Sequence, residues 1–311
     1  MIVVAGEALV DLIAHDGALR PHPGGGPFNT AVALGRLGVP VGFFGRLSTD
    51  VYGHLLEGRF SECGVDLRYV LHGAEPTPLA IVQETSGGGH EFSFYLANTA
   101  YAGLGFDDLP ELADEVTALY SGTLALATDP PASALERLLQ DQSARRLVVI
   151  DPNVRPAVIS DADAYRKRFE RLLAVAHVVK LSDADARWLY PAEPLEEVVT
   201  RILEQGALLT VLTLGAEGAI ASNAVADVAV RSPAVHVVDT VGAGDAFGAG
   251  LLRRLWENDR LDARSVGAVD AGALEDALLF AAAVAALQCA RPGATPPTLL
   301  EVQDFLAGQP A

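Results

Sequence analysis

A chain of 311 residues with 50% hydrophobic composition can bury a large core, as one big α/β domain or as a domain with a smaller appendage, which excludes a disordered chain. Its formal net charge of -18 excludes a diffuse positive field for nucleic acid or anionic lipid, although backbone amides and a divalent cation can still hold phosphates locally. Cys63 and Cys289 stand far apart and outside any metal-ligand spacing, so neither a disulfide framework nor a structural zinc site is expected, and a reducing cytoplasm fits.

In chain order, Ile2–Ala5 is the first strand expected, and the early charge of Glu7 does not suit a signal peptide. Asp11 follows; its carboxylate can accept two hydroxyl hydrogen bonds, or it can simply be a solvated charge on a strand. Gly24-Gly25-Gly26-Pro27-Phe28-Asn29 precedes a helix predicted over residues 30–37 that Gly38 and Pro40 end. A glycine run lets backbone pass close to a ligand, and the Asn29 amide can both donate to and accept from sugar hydroxyls. A plain loop ending in a helix cap is the alternative. Residues 79–83 and 91–95 read as two strands joined by Thr85-Ser86-Gly87-Gly88-Gly89; with residues 8–14 they form either a small lid or an ordinary edge hairpin.

Further strands are predicted over residues 147–150, 178–181, 208–212 and 235–238, alternating with helical stretches as in a largely parallel sheet covered on both faces. Each of the four ends in a polar or glycine-containing turn, and in open α/β sheets ligands bind beyond such strand ends. The last turn, Asp239-Thr240-Val241-Gly242-Ala243-Gly244-Asp245, carries the most chemistry. Gly242 and Gly244 let amides turn toward an anion at the positive end of a helix dipole, and Asp245 is a carboxylate placed to take a proton from an attacking hydroxyl. As a lone motif it would read better as a glycine turn with Asp245 as an N-cap. Gly248 and Gly250 lie within the helix that follows, where each costs roughly 1 kcal/mol relative to Ala, so a close backbone approach is expected there. The longest apolar helix candidate, residues 277–287, falls short of the roughly 20 residues that span a bilayer, so no membrane partner is expected.

Together the two glycine segments resemble the signatures of the ribokinase-like PfkB family of sugar kinases. The C-terminal match covers residues 239–252 and the N-terminal one residues 24–38, continuing through Gly45, Asp50 and Gly53, so the similarity spans nearly the whole chain. It implies one ribokinase-like domain over residues 1–311, a Rossmann-type three-layer α/β sandwich whose small β lid comes from residues of about 8–20 and 77–100. The implied activity is ATP-dependent phosphorylation of a sugar hydroxyl, with ATP and Mg²⁺ required, K⁺ a further candidate, and a homodimer formed through the lid.

On this resemblance Asp245 matches the catalytic base, and Gly242, Ala243 and Gly244 the anion hole. Asp11, Gly25 and Asn29 match sugar contacts; Phe94 and Arg155 are further candidates for the substrate. Ser182, Thr213, Gly215 and Gly218 fall in turns that resemble nucleotide contacts. Asp185 stands where the family carries Glu, near Mg²⁺ through water, and Asp239 with Arg291-Pro292-Gly293-Ala294 resembles a monovalent-cation site. The sugar-side segments look most like fructokinases, giving fructose 6-phosphate, with a 2-keto-3-deoxygluconate kinase as the near alternative. Leu96 stands where acid-sugar kinases often carry Arg, and Tyr101 where many fructokinases carry Asp. A sugar-sensing binding protein on the same fold is the non-enzymatic alternative. Gly6 is not followed by a Gly-x-Gly-x-x-Gly fingerprint, which argues against a dinucleotide enzyme.

Overall fold

The computed structural model describes residues 1–15, 18–84 and 90–308; the predicted connection 85–89 lies outside the described residues. The strands are β1 (Ile2–Ala5), β2 (Leu9–His15), β3 (Ala18–Gly24), β4 (Val41–Ser48), β5 (Val70–Gly73), β6 (Leu79–Glu84), β7 (His90–Tyr95), β8 (Ala118–Gly122), β9 (Leu147–Asp151), β10 (Val178–Ser182), β11 (Leu209–Thr213), β12 (Ala219–Asn223) and β13 (Asp227–Val230). The α-helices are α1 (Gly26–Arg36), α2 (Val51–Glu62), α3 (Pro131–Gln142), α4 (Ala162–Leu173), α5 (Asp183–Leu189), α6 (Leu195–Glu204), α7 (Ala243–Glu257), α8 (Ala263–Val266), α9 (Ala271–Cys289) and α10 (Leu299–Ala307).

Unbroken apolar runs such as Ile2–Ala5 are buried on both faces and take central places in a parallel sheet. Its order is β13-β12-β11-β10-β9-β8-β1-β4-β5, parallel from β5 to β11 and antiparallel at β12 and β13. Alternation along β1 splits the core. Ile2 and Val4 pack with α1, α7 and α9, while Val3 and Ala5 pack with α3, α4 and α6. This is the expected three-layer α/β/α sandwich.

A second sheet, ordered β3-β2-β6-β7, forms the lid. Asp11 pairs with Ala80 and Ala80 with Phe94, so all three share one face of that sheet. In that sheet β3 ends at Gly24, beside the start of α1.

Three sequence expectations are corrected here. Residues 235–238 are not a strand: β12 and β13 already occupy that edge of the sheet, and the Val238 and Asp239 amides donate instead to the Cys289 carbonyl at the end of α9. Helix α1 begins at Gly26 rather than residue 30, because Pro27 has no N–H to leave unpaired in a first turn; Asn29 is therefore inside the helix, its amide donating to Gly25 O at 2.9 Å. Helix α9 has 19 residues, long and apolar enough to cross a membrane by length and composition alone, yet it is largely buried against α7. A Cβ at Gly250 would stand 2.8 Å from Ala281 Cα, so the predicted close approach is to α9. Gly248 has room for a methyl group, its nearest neighbour being Tyr120 Oη at 3.7 Å.

Candidate active site

The carboxyl ends of the parallel strands and the inner face of the lid enclose a cavity of about 680 Å³. Asp11, Gly25, Asn29, Phe94 and Arg155 all line it, and so do Gly242, Ala243, Gly244 and Asp245. Residues more than 200 positions apart in the sequence thus meet at one site, as the two glycine motifs required.

Gly242 caps α7 with φ 76°, a left-handed conformation that costs glycine little, and the first residues of the helix, Ala243, Gly244 and Asp245, line the cavity. Asp245 is the third residue of that helix. Its Oδ2 accepts from Asn29 Nδ2 at 2.9 Å and its Oδ1 from Asn153 Nδ2 at 3.4 Å. Burial pushes the Asp245 carboxyl up to about 6, against the Asn29 hydrogen bond that favours the charged form. A carboxylate so placed is ionised at neutral pH yet basic enough to accept a proton.

Asp11 faces the cavity from β2, and burial raises it to about 7 despite the Arg155 guanidinium nearby. Glu7, which the sequence reading did not single out, also lines the cavity. It accepts from the Leu124 and Ala125 amides at 3.4 and 3.1 Å, and complete burial pushes it up to about 8. Only the charge following the first strand hinted at it. The Arg155 Nη1 donates to Asn153 O at 3.1 Å and Asn153 Oδ1 at 2.7 Å, fixing the amide that reaches Asp245. Phe94 stacks on Phe92 with ring centroids 5.9 Å apart, whereas Tyr95, on the other face of β7, is 57% exposed. Leu96 packs into the small apolar cluster of Leu9, Ala80 and Leu124. Tyr101 is fully buried with its hydroxyl 3.2 Å from Thr128 Oγ1, away from the cavity.

A second cavity of about 490 Å³ adjoins the first and shares Thr213, Gly215, Thr240, Ala243 and Gly244 with it. Gly218 lines the second cavity alone, and Ser182 only the first. Its other wall is apolar, with Val235 and Val237 facing Ala282, Ala285 and Ala286 of α9. The run misread as a strand is therefore a cavity wall.

The Asp185 carboxylate accepts from Val154 N at 2.7 Å, Ser182 N at 2.9 Å and Ser182 Oγ at 2.7 Å, closing the cap of its own helix. It still lines the cavity. Among the described residues no cluster of three acidic, His or Cys side chains could hold a metal alone. The donor set fits a hydrated Mg²⁺ shared between one carboxylate and a ligand's phosphates. Asp239 accepts from Val241 N at 3.0 Å and Gly293 N at 2.9 Å, while Gln288 Nε2 bridges the Val241 and Gly293 carbonyls. The predicted partners Asp239 and the 291–294 loop are thus joined.

The family profile described as pfkB family carbohydrate kinase matches residues 1–300. The chain belongs to the pfkB family of carbohydrate kinases. It is 37% identical over 281 residues to a fructokinase of Rhizobium leguminosarum bv. trifolii, covering 89% of this chain and 86% of that protein. The crystal structure of a fructokinase with bound ATP from Xylella fastidiosa superposes with a TM-score of 0.90 at 28% identity, with 98% of both chains covered. A fructokinase double mutant from Vibrio cholerae O395 with fructose, ADP and potassium ion bound gives a TM-score of 0.86 at 29% identity, covering 98% of this chain and 97% of that one. The ribokinase-like architecture and kinase class expected from the glycine motifs are therefore those of a pfkB kinase.

Proposed function

We propose that this pfkB kinase is an ATP-dependent fructokinase that forms fructose 6-phosphate, with Asp245 as its base. The observation that carries the reading is the position of Asp245: buried, held by two side-chain amides, at the N-terminus of α7 and lining the same cavity as Asp11. Fructose lies under the lid, with its hydroxyls on Asp11, Asn29 and the backbone at Gly25, and with Phe94 and Arg155 at its edge. The adenine occupies the apolar second cavity, with Thr213, Gly215 and Gly218 along its side, and the phosphates run past Ser182 to α7. Asp245 takes the proton of the 6-hydroxyl; the oxygen forms a bond to the γ-phosphorus as the bond to the ADP oxygen breaks. The first-turn amides of α7, with Gly242, Ala243 and Gly244, meet the developing charge. Asp185 would hold Mg²⁺ beside the phosphates, where the bound ion would supply further charge neutralisation.

Release of ADP measured with fructose, 2-keto-3-deoxygluconate, ribose, glucose and adenosine tests this reading. Fructose giving the highest kcat/KM supports it. A specific observation favours the acid-sugar alternative: Arg155 places a cation beside Phe92 at the sugar end, 5.9 Å from the ring centroid. Faster turnover of 2-keto-3-deoxygluconate would select that alternative. ADP release with none of these sugars, together with sugar-induced stabilisation, would select a sensor.

Two further parts of the reading concern assembly and ions. The outer face of the lid bears Leu19, 50% exposed, and Tyr95, 57% exposed, opposite Asp11 and Phe94; this is the surface through which a homodimer forms. Light scattering of a monomer at working concentration would remove it. The carbonyls organised by Asp239 and Gln288 take K⁺, and equal rates in sodium and potassium would contradict that.

A further inference from the structure

We infer that Lys180 is a second charged group of the reaction, contacting the transferring phosphoryl group, and that Asp151 and Tyr120 are positioning residues for its ammonium. The three come from adjacent strands β10, β9 and β8. Lys180 Nζ donates to Asp151 Oδ2 at 2.8 Å, and Tyr120 Oη donates to the same oxygen at 2.9 Å. Lys180 is 4% exposed, yet it lines the main cavity. An ammonium has three N–H donors, and Asp151 is its one hydrogen-bond partner among the described residues, leaving two.

The neighbouring glycine shows where those donors are needed. A Cβ at Gly244 would stand 3.2 Å from Lys180 Nζ, so a side chain there would press on the ammonium from the helix side. Gly244 thus leaves room beside the Lys180 ammonium at the first turn of α7, on the cavity wall. The polyphosphate must run from the second cavity to Asp245, and the wall shared by the two cavities includes Ala243 and Gly244. The acids that line the same cavity are Glu7, Asp11, Glu91, Asp183, Asp185 and Asp245, while Arg155 has one end committed to Asn153. Lys180 is the buried cation at the place where a γ-phosphate would meet those carboxylates. Burial pulls the lysine down, but Asp151, with Asp185 and Asp245 adding to it, holds it above its ordinary value and charged.

The competing account is a buried ion pair that serves the fold alone. Lys180→Met, Asp151→Asn and the double variant separate the two, with thermal unfolding to identify folded protein. The inference rests on the kinase reading but not on fructose: turnover is read with whichever sugar the wild type uses, and ATP and ADP affinities by calorimetry need no sugar. In the double variant, where no charge is left unpaired, kcat is expected to fall by about 10² to 10³, as for removal of one oxyanion-stabilising donor. ATP affinity falls at least tenfold more than ADP affinity, and sugar KM stays within about threefold. Asp151→Asn alone gains an alkaline limb in its kcat profile, since Lys180 then loses its proton more readily; Tyr120, Asp185 and Asp245 still face it. A folded double variant with kcat within about threefold of wild type, or equal losses of ATP and ADP affinity, would overturn the inference.

Discussion

Asn29 Nδ2 donates to Asp245 Oδ2 across 2.9 Å, joining the first turn of α1 to the first turn of α7 although 216 residues separate them. Each glycine motif alone reads as a turn before a helix. The hydrogen bond makes them one device, in which the amide that orients the proposed base also lines the proposed sugar pocket. Asn29→Ala is expected to raise sugar KM and kcat's acid pKa together, because the bond favours the ionised form of Asp245. A pH profile of the variant checks both, and an unchanged acid limb would separate Asn29 from the base.

The wild-type profile itself has a defined sign. On the proposed mechanism Asp245 works as the carboxylate, so rate is expected to fall as pH drops through about 6, where burial has raised its pKa, with tenfold loss per unit below. An ordinary aspartate would lose its charge only near about 3.9. Log kcat/KM measured from pH 4.5 to 8 reads this limb directly.

The two glycines inside α7 are expected to respond oppositely to alanine. At Gly250 the added methyl meets Ala281 Cα at 2.8 Å, a backbone contact that cannot rotate away. Overpacking of about 1 to 3 kcal/mol should outweigh the roughly 1 kcal/mol gained in helix propensity, so Gly250→Ala destabilises. Gly248→Ala, with its nearest atom at 3.7 Å, keeps most of the propensity gain. Thermal unfolding of both variants gives the comparison.

Asp50 ties the lid to the body. It caps α2 through the Tyr52 and Gly53 amides and accepts from the Thr77 amide and hydroxyl at 2.8 and 2.6 Å, two residues before β6 begins. Burial alone would raise its carboxyl, but these hydrogen bonds hold it down to about 2. The folded pKa is depressed, so the stabilisation is present above the unfolded value of about 3.9 and is lost as pH falls through about 2. Asp50→Ala should cost about 1 to 2 kcal/mol at neutral pH, measured by denaturant unfolding, with a smaller cost at pH 2.

Much of this was legible in the sequence. The β-branched runs of β1, β9 and β10 have nowhere to go but the centre of a parallel sheet, and the Phe-Ser-Phe alternation in β7 marks a strand with two unlike faces, though not whether it belongs to a lid or an edge hairpin. Residues 235–238 defeated the same logic, because an apolar run lining a cavity has the composition of a strand. Strand β12, with its Ala, Ser and Asn residues, carried little β signal. Glu7, and the pairing of Lys180 with Asp151, stayed hidden for another reason: their significance comes from burial beside groups on segments distant in the chain, which no local pattern records.

The most direct test of the central claim is single-turnover phosphoryl transfer from ATP to fructose by wild type and by Asp245→Asn. The variant keeps the shape of the side chain and an acceptor for Asn29 but cannot take the proton. Transfer to fructose by the wild type, slowed by about 10² to 10⁴ in the variant with ATP and fructose affinities retained, is the predicted result. Equal rates in the two proteins would contradict the assignment of Asp245 as the base.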